Sequence, residues 1–212
     1  MQPVFLGGHP AMDFLNTIFS PQGITSEVIG DGESFLSWMV EARLLDAPTA
    51  ASIRRRYSCK KLDAIAAEAR KLRAWVAGWI DRWSRRPLDK YDTEFRRLNA
   101  LLERSHSYCE VVPAEDSVKI VQREHMLDAE ELIALIAGQI ALLIVHEDSQ
   151  LVRCCAGASC TLRFLDRTKA HRRVFCSAAA CGNRAKVAAF RNRQRGCCDD
   201  AVKDRIEKEG GR

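Results

Sequence analysis

With 212 residues, of which 47% are hydrophobic and 29% charged, the chain is long enough to bury one substantial core, or a core with a small appendage. No apolar run approaches the roughly 18 residues that a membrane helix needs, and the first residues, MQPVFLGGHPAMDF, lack the pattern of a secretory signal. These properties argue against a membrane partner and favour a soluble protein of the cytoplasm, with a modest net charge of +5.

Four polar residues stand close together near the start of the chain: His9, Asp13, Asn16 and Thr17. On a helix the last three would share one side. Helix caps and buried hydrogen bonds are the usual roles of such residues. The alternative is a polar pocket for a small-molecule effector, built from His9, Asp13 and Asn16.

The first 150 residues have a mainly helical pattern. From Leu62 to Trp83, apolar residues recur at spacings of three and four, which predicts one long helix with a buried stripe. Trp75, Trp79 and Trp83 fit that stripe better than a ligand cage.

Three further helices and one hairpin are predicted in the same part of the chain. The helices are expected at 33–45, 91–104 and 128–146, and the last is apolar almost all round, so it should lie centrally. Residues 107–122 contain two β-prone runs around a polar break, which predicts a β-hairpin.

Charge and cysteine content both change near residue 150. Residues 151–195 carry eleven Lys and Arg against a single acid, Asp166, whereas residues 1–150 carry more acids than bases. Seven of the nine cysteines also follow residue 150. We therefore predict a helical domain at 1–150, a basic cysteine-rich module at 151–195 and a polar, flexible tail at 196–212.

The odd number of cysteines argues against a disulfide framework. Cys59 and Cys109 are expected to be small buried hydrophobes, as free cysteines usually are. Cys197 and Cys198 lie in the polar tail and are expected to be exposed bystanders.

The remaining cysteines form two pairs with equal spacing. Cys155 and Cys160, then Cys176 and Cys181, give C-x4-C, fifteen residues, and C-x4-C. Four thiolates on two tight turns are the ligand set of a closed tetrahedral zinc site, so we predict one structural zinc ion. Cys154 in place of Cys155, His171 as a ligand, and iron in place of zinc are the alternatives.

The module is expected to be a small α+β unit, a β-hairpin followed by a helix. TLRFLDRT and RRVFC are interpreted as two strands joined by KAH. Gly182 is expected to let the backbone pass close to a sulfur, and Asn183 to cap a helix over 184–195. A metal would stabilise this unit, since some 40 residues bury too little apolar surface to fold unaided.

The excess of positive charge on this unit predicts binding of nucleic acid, most simply duplex DNA. A solvated surface helix is the alternative for part of this charge. The predicted contacts are Arg167, Lys169, Arg172, Arg173, Asn183, Arg184, Lys186, Arg191, Arg193 and Arg195.

The chain resembles a known family at two places. The run C-x4-C, FLD, RR, FC, C-x4-CGNRAK looks like the CGNR zinc finger, named for the tetrapeptide at 181–184. GHPAMDFLNT at 8–17 is similar to the opening of the ABATE domain, with Met12 for Leu, and FLSWMVEARLL is similar to its next helix. Phe175 replaces a frequent Trp, and Thr168-Lys169 replaces Ser-Arg, both with similar chemical character.

This resemblance implies zinc on Cys155, Cys160, Cys176 and Cys181, and a DNA-binding regulator of transcription under stress. The mainly helical domain would then receive a signal or form a homodimer. Two other hypotheses remain: an RNA-binding or protein-interaction adaptor, and a ligand-binding helical domain with a purely structural finger. An enzyme is not expected, because the sequence has no phosphate loop and no HExxH, and four cysteines leave zinc no open position.

Overall fold

The computed structural model describes residues 2–20, 23–83, 92–114, 117–124 and 128–193. It confirms a mainly helical chain with short antiparallel hairpins. In chain order the elements are α1 (Pro10–Leu15), β1 (Ile18–Phe19), β2 (Ser26–Glu27), α2 (Gly32–Glu41), α3 (Ala47–Arg56), α4 (Cys59–Trp83), α5 (Asp92–Leu102), β3 (Ser107–Ala114), β4 (Ser117–Glu124), α6 (Glu131–His146), a 3-10 turn (Ser149–Leu151), β5 (Val152–Cys154), β6 (Arg163–Leu165), a π-helical turn (Ala178–Gly182) and α7 (183–193).

Side-chain caps fix where the first helices begin. The Nδ1 atom of His9 accepts a hydrogen bond from the amide of Ala11 at 3.1 Å, and Pro10 opens α1. Asp31 and Ser34 form a reciprocal capping box at the start of α2. The carboxylate of Asp46 accepts from the amide of Thr49 at 2.6 Å and caps α3, although α3 was not among the predicted helices.

The long helix and the central helix lie where the sequence places them. α6 packs against α1, α4 and α5, and Ile133, Ile136 and Ile140 are fully buried. The tryptophan stripe of α4 also lies in the core: Trp79 and Trp83 are buried, and Trp75 is half-buried beside them. The prediction that these tryptophans pack in the core is confirmed.

The hairpin predicted at 107–122 is present as β3 and β4. The two strands pair antiparallel, from Ser107 opposite Glu124 to Ala114 opposite Ser117. Cys59 differs from its prediction, because it stands exposed at the first position of α4. The side chain of Cys109 and the whole of the tail, including Cys197 and Cys198, lie outside the described residues.

The strand pairing of the cysteine-rich module is not the predicted one. β6 pairs antiparallel with β5, with Val152 opposite Leu165 and Cys154 opposite Arg163. The segment RRVFC at 172–176 is not a strand, so that prediction was wrong.

Asp166, which is fully buried at the end of β6, explains why 172–176 is not a strand. Its carboxylate accepts hydrogen bonds from the amide and hydroxyl of Thr168 and from the amide of Arg173. His171 adopts a left-handed backbone conformation with φ of 48°, and its Nδ1 lies 3.0 Å from the Asp166 carbonyl oxygen. The carboxylate thus folds 167–173 into a loop instead of a returning strand.

The cysteine-rich module packs directly on the helical part of the chain. Leu162, Phe164 and Leu165 belong to the same buried cluster as the helices. The amide of Leu165 donates to the carbonyl oxygen of Gly7 at 2.7 Å, and the guanidinium of Arg163 pairs with Asp81. Within the described ranges, no helix is both long and apolar enough to cross a bilayer.

Candidate metal centre and basic surface

The four predicted ligands meet at one point. The Sγ atoms of Cys155, Cys160, Cys176 and Cys181 all lie within 4.8 Å of one another. Sγ of Cys176 is 3.5 Å from that of Cys181 and 3.8 Å from that of Cys160. Tetrahedral zinc with bonds of about 2.3 Å holds its sulfurs about 3.8 Å apart, whereas a disulfide needs about 2.05 Å. The distances therefore fit four ligands of one zinc ion.

The first cysteine pair lies on a tight loop in which a Cβ atom at Gly157 would make close contacts. The amide of Gly157 donates to Sγ of Cys155 at 3.4 Å, and the amide of Cys160 donates back to the Gly157 carbonyl oxygen. A Cβ atom on Gly157 would lie 3.2 Å from the Cβ of Cys160 and 3.3 Å from Sγ of Cys181. Gly157 is thus the glycine beside the sulfurs.

Gly182 is not crowded at the position of a Cβ atom. A Cβ atom there would first meet the ring of Phe175 at 3.6 Å and the Ser177 carbonyl oxygen at 3.7 Å, both ordinary contacts. The close passage of its backbone by a sulfur stays a prediction. Asn183 was wrongly interpreted as the helix cap, because it already has helical dihedral angles. The cap is Ser177, whose Oγ accepts from the amide of Ala180 at 3.2 Å, so the helical segment begins at Ala178.

Hydrogen-bond donors reach one sulfur of each cysteine pair. The amide of Cys176 donates to Sγ of Cys155 at 3.3 Å, and Nη2 of Arg184 donates to Sγ of Cys181 at 3.0 Å. Such donors stabilise thiolates, which zinc requires. These hydrogen bonds therefore favour the thiolate form of the cluster, as a metal site needs.

Burial and these donors set the acidity of the thiols in opposite directions. Burial acts to raise the pKa of Cys155, but hydrogen bonds from the amides of Cys176 and Gly157 and from the thiols of Cys176 and Cys160 together outweigh it, and the pKa is lowered. Burial raises the pKa of Cys160 to about 11 and also raises the pKa of Cys176. A divalent cation must therefore displace protons from this site when it binds at neutral pH.

The alternative ligands lie elsewhere. Cys154 is exposed on β5, whereas Cys155 is buried in the cluster, so the choice of Cys155 is confirmed. His171 lies in the loop held by Asp166 and is not part of the cluster. Four cysteines, three of them buried, fit one structural zinc ion.

Most of the predicted nucleic-acid contacts are exposed side chains around this centre. They are Arg167, Lys169, Arg172, Asn183, Arg184, Lys186, Arg191 and Arg193. Arg167 pairs with Glu147 at the edge of the helical part. Arg195 lies outside the described residues.

Arg173 is used inside the protein. Its guanidinium donates to the carbonyl oxygens of Leu6, Phe175 and Cys176 and lies 4.1 Å above the ring of Phe164. A guanidinium with these partners joins the N-terminal segment to the second cysteine loop. Arg173 therefore has a structural role in this fold, and its predicted contact with nucleic acid stays a prediction.

His9, Asp13 and Asn16 lie close to the same module, and each bonds within the chain. Asp13 Oδ1 accepts from the amide of Gly7 at 2.7 Å, and burial raises the pKa of Asp13 to about 6. Asn16 bonds to the backbone of Arg163. Burial also lowers the pKa of His9, which caps α1. Caps and buried hydrogen bonds account for these side chains, and an effector site there stays a prediction.

Comparison with protein families covers almost the whole described chain. The ABATE family model, described as a putative stress-induced transcription regulator, matches residues 8–147, and the CGNR zinc finger model matches residues 152–194. Comparison with curated proteins gave no match. The chain therefore belongs to the ABATE family of putative stress-induced transcription regulators, and it carries a CGNR zinc finger whose four cysteines fit one structural zinc ion.

Proposed function

We propose that this protein binds duplex DNA through its finger and thereby regulates transcription in the cytoplasm, without catalytic activity of its own. The observation that carries the proposal is the charge around the zinc centre. Between residues 167 and 193 the sequence has eight Lys and Arg and no Asp or Glu. Mutual repulsion among these cations destabilises the folded state unless an anion binds there.

The exposed positions of most of these cations support a role in binding a partner molecule. We define the basic surface as Lys169 and Arg172 of the loop together with the exposed cations of α7, namely Arg184, Lys186, Arg191 and Arg193. Phosphate groups of DNA are neutralised by side chains of this kind. The zinc ion would hold the loop and the helix together, because its ligands precede and follow the loop.

The contacts between the two parts of the chain support a regulatory role for the helical part. Leu6 and Gly7, before α1, and Asn16, the C-cap residue of α1, all bond to the finger. A ligand or a second copy that displaced α1 would also displace β6. We propose that the helical part acts on DNA binding by this route, as a sensing or dimerisation domain.

Fluorescence anisotropy with the full-length, zinc-loaded protein tests the proposal. The probes are a labelled random-sequence DNA duplex and a single-stranded RNA, each titrated over a series of salt concentrations. We expect tighter binding to the duplex, with an affinity that falls as salt rises. Preference for the RNA, or affinity that does not depend on salt, would instead favour an RNA-binding or protein-interaction adaptor.

A double substitution locates the binding surface. Lys169→Ala with Arg172→Ala is expected to reduce the slope of log affinity against log salt by about two, since each lost phosphate contact removes about 0.9 from the slope. Arg55→Ala is the matched control, because Arg55 is exposed on α3 of the helical part. Equal effects of the double variant and the control would contradict the proposal.

A further inference from the structure

The last helix leaves nearly all of its side chains in solvent. Every residue of α7 except Ala185 is exposed, including Val187 with 48% and Phe190 with 54% of its surface accessible. A helix that serves only its own domain buries one apolar face against the core. The exposed apolar side chains of α7 indicate that it has a partner.

Three exposed side chains line up along one side of α7. Asn183, Val187 and Arg191 follow one another at intervals of four and therefore line up along the helix. With Ala179 and Ala180 of the preceding turn, they line a shallow groove of about 560 Å³. We call these five residues the reading face. Its alanines allow a partner to approach the helix backbone closely.

Charge decides what the partner is. The same helix of a second copy would bring Arg184, Lys186, Arg191 and Arg193 against identical cations, with no Asp or Glu within 167–193 to balance them. A polyanion gains from every one of these charges. Complementarity therefore favours nucleic acid over a self-pairing helix.

The side chains of the reading face match the edges of base pairs. An α-helix, about 10–12 Å across with its side chains, fits the DNA major groove, which is about 12 Å wide. There an Asn pairs with adenine at N6 and N7, an Arg pairs with guanine at O6 and N7, and methyl groups contact the thymine methyl. Asn183, Arg191 and Val187 supply these three groups on one side of α7.

Resting on the proposed DNA binding, we infer that α7 enters the major groove and that Asn183, Val187 and Arg191 read the base sequence. Lys186 and Arg193, seven residues apart, lie on a different side of the helix and meet backbone phosphates. Arg184 donates to Sγ of Cys181, so it fixes the start of the helix relative to the metal centre.

The test begins with selection of binding sites from a random duplex pool by the full-length, zinc-loaded protein. Asn183→Ala and Arg191→Ala are each expected to lose preference at a separate position of the selected site. Affinity for that site should fall roughly 5- to 150-fold in each variant. Methylation of guanine N7, which lies in the major groove, should block the native protein at the position that Arg191 reads, and should not affect Arg191→Ala there.

Lys186→Ala is the matched control from the same helix. It should lower affinity for the selected site and for unselected duplex by the same factor and leave the selected sequence unchanged. All these side chains are exposed, so zinc content and thermal unfolding should not change in any variant. These two measurements show that a loss of preference does not come from a misfolded finger.

The outcomes separate the inference from the proposal on which it rests. A native protein that binds no duplex DNA overturns both. A native protein that binds duplex DNA, but whose Asn183→Ala and Arg191→Ala variants select the unchanged sequence, overturns the inference alone. The inference also fails if the native protein is a dimer that Val187→Asp converts to a monomer while the selected sequence stays the same, because α7 would then pair with a second copy.

Discussion

The carboxamide of Asn16 pairs with both backbone groups of Arg163. Its Nδ2 donates to the Arg163 carbonyl oxygen at 2.8 Å, and its Oδ1 accepts from the Arg163 amide at 2.9 Å. Two residues along, the amide of Leu165 donates to Gly7 at 2.7 Å. The exposed edge of β6 is thus satisfied by the C-cap residue of α1 and by the segment before that helix, and the finger is fixed to the helical part.

Asn16→Ala should weaken this attachment. Asn16 is buried, so its loss leaves the amide and carbonyl of Arg163 without these partners, at a cost of about 1–3 kcal/mol in the free energy of unfolding. Urea unfolding measures the cost, and amide exchange at Arg163 should become faster. Asn99→Ala, at an exposed site on α5, is the control and should change stability by less than about 0.5 kcal/mol. Equal stability of the two variants would show that the pairing contributes nothing.

Zinc content should depend on the cluster and not on the neighbouring thiol. The purified native protein is expected to hold one zinc ion per chain, measured by elemental analysis. Cys176→Ser should lose the ion and much of the cooperative unfolding transition, because a structural zinc site contributes directly to folding. Cys154→Ser changes an exposed cysteine outside the cluster and should keep the ion. Loss of zinc from both variants would contradict the assignment of the ligands.

Gly157 and Gly182 should respond differently to the same substitution. Gly157→Ala places a methyl group 3.3 Å from Sγ of Cys181, so a neighbour must shift by a few tenths of an ångström, which a sulfur bound to a metal resists. We expect lower zinc affinity, measured by competition with a chelator. Gly182→Ala meets only ordinary contacts, so its zinc affinity should stay close to that of the native protein. The reverse ranking would contradict the arrangement of the first cysteine loop.

Asp13 should make stability depend on pH. Burial raises its pKa to about 6, above the ordinary value of 3.8. Between these values the folded state binds more protons than the unfolded state, so stability falls as pH rises toward 6 and stays lower above it. Asp13→Asn removes this penalty while its Oδ1 can still accept from Gly7. Relative to the native protein, the variant should gain about 1–2 kcal/mol between pH 5 and pH 7.5, since a pKa unit is about 1.4 kcal/mol and partial exposure screens the effect.

The comparison of two proteins at each pH removes the acid dependence of zinc binding, which both share. Glu103→Gln, which changes an exposed carboxylate at the end of α5, is the control and should follow the native protein at both pH values. If the difference between Asp13→Asn and the native protein does not change with pH, the carboxyl of Asp13 does not titrate in this range.

The metal site was predictable because all four ligands lie in one short segment and share a regular spacing. Two C-x4-C pairs name all four ligands, and only the choice between Cys154 and Cys155 needed the structure. The long stripe of α4 was predictable for the same reason, since periodicity is contained in one segment. Pro10 after His9, and Pro48 after Asp46, were helix-start signals that would have located α1 and α3.

The pairing of β6 with β5 was not predictable from periodicity, because each strand has only three residues and an alternating pattern needs a longer run. One signal was present: Asp166 is the single acid among the bases of 151–195. An isolated acid in a basic segment is a candidate for a buried carboxylate that accepts several hydrogen bonds. Asp166 is such a carboxylate. When Asp166 is counted only as a charge, the sequence predicts a second strand at 172–176. The chain forms no strand there, because the carboxylate of Asp166 binds the amide of Arg173.

The pairing of Asn16 with Arg163 spans 147 residues, so we expect it to form late in folding. A contact between such distant positions closes late, because a long intervening chain must first be ordered. While the ribosome is still producing the middle of the chain, α1 has no β6 to pack against, and one side of the nascent helical core is open. If zinc stabilises the segment that closes this opening, we expect metal supply during synthesis to bear on the yield of folded protein.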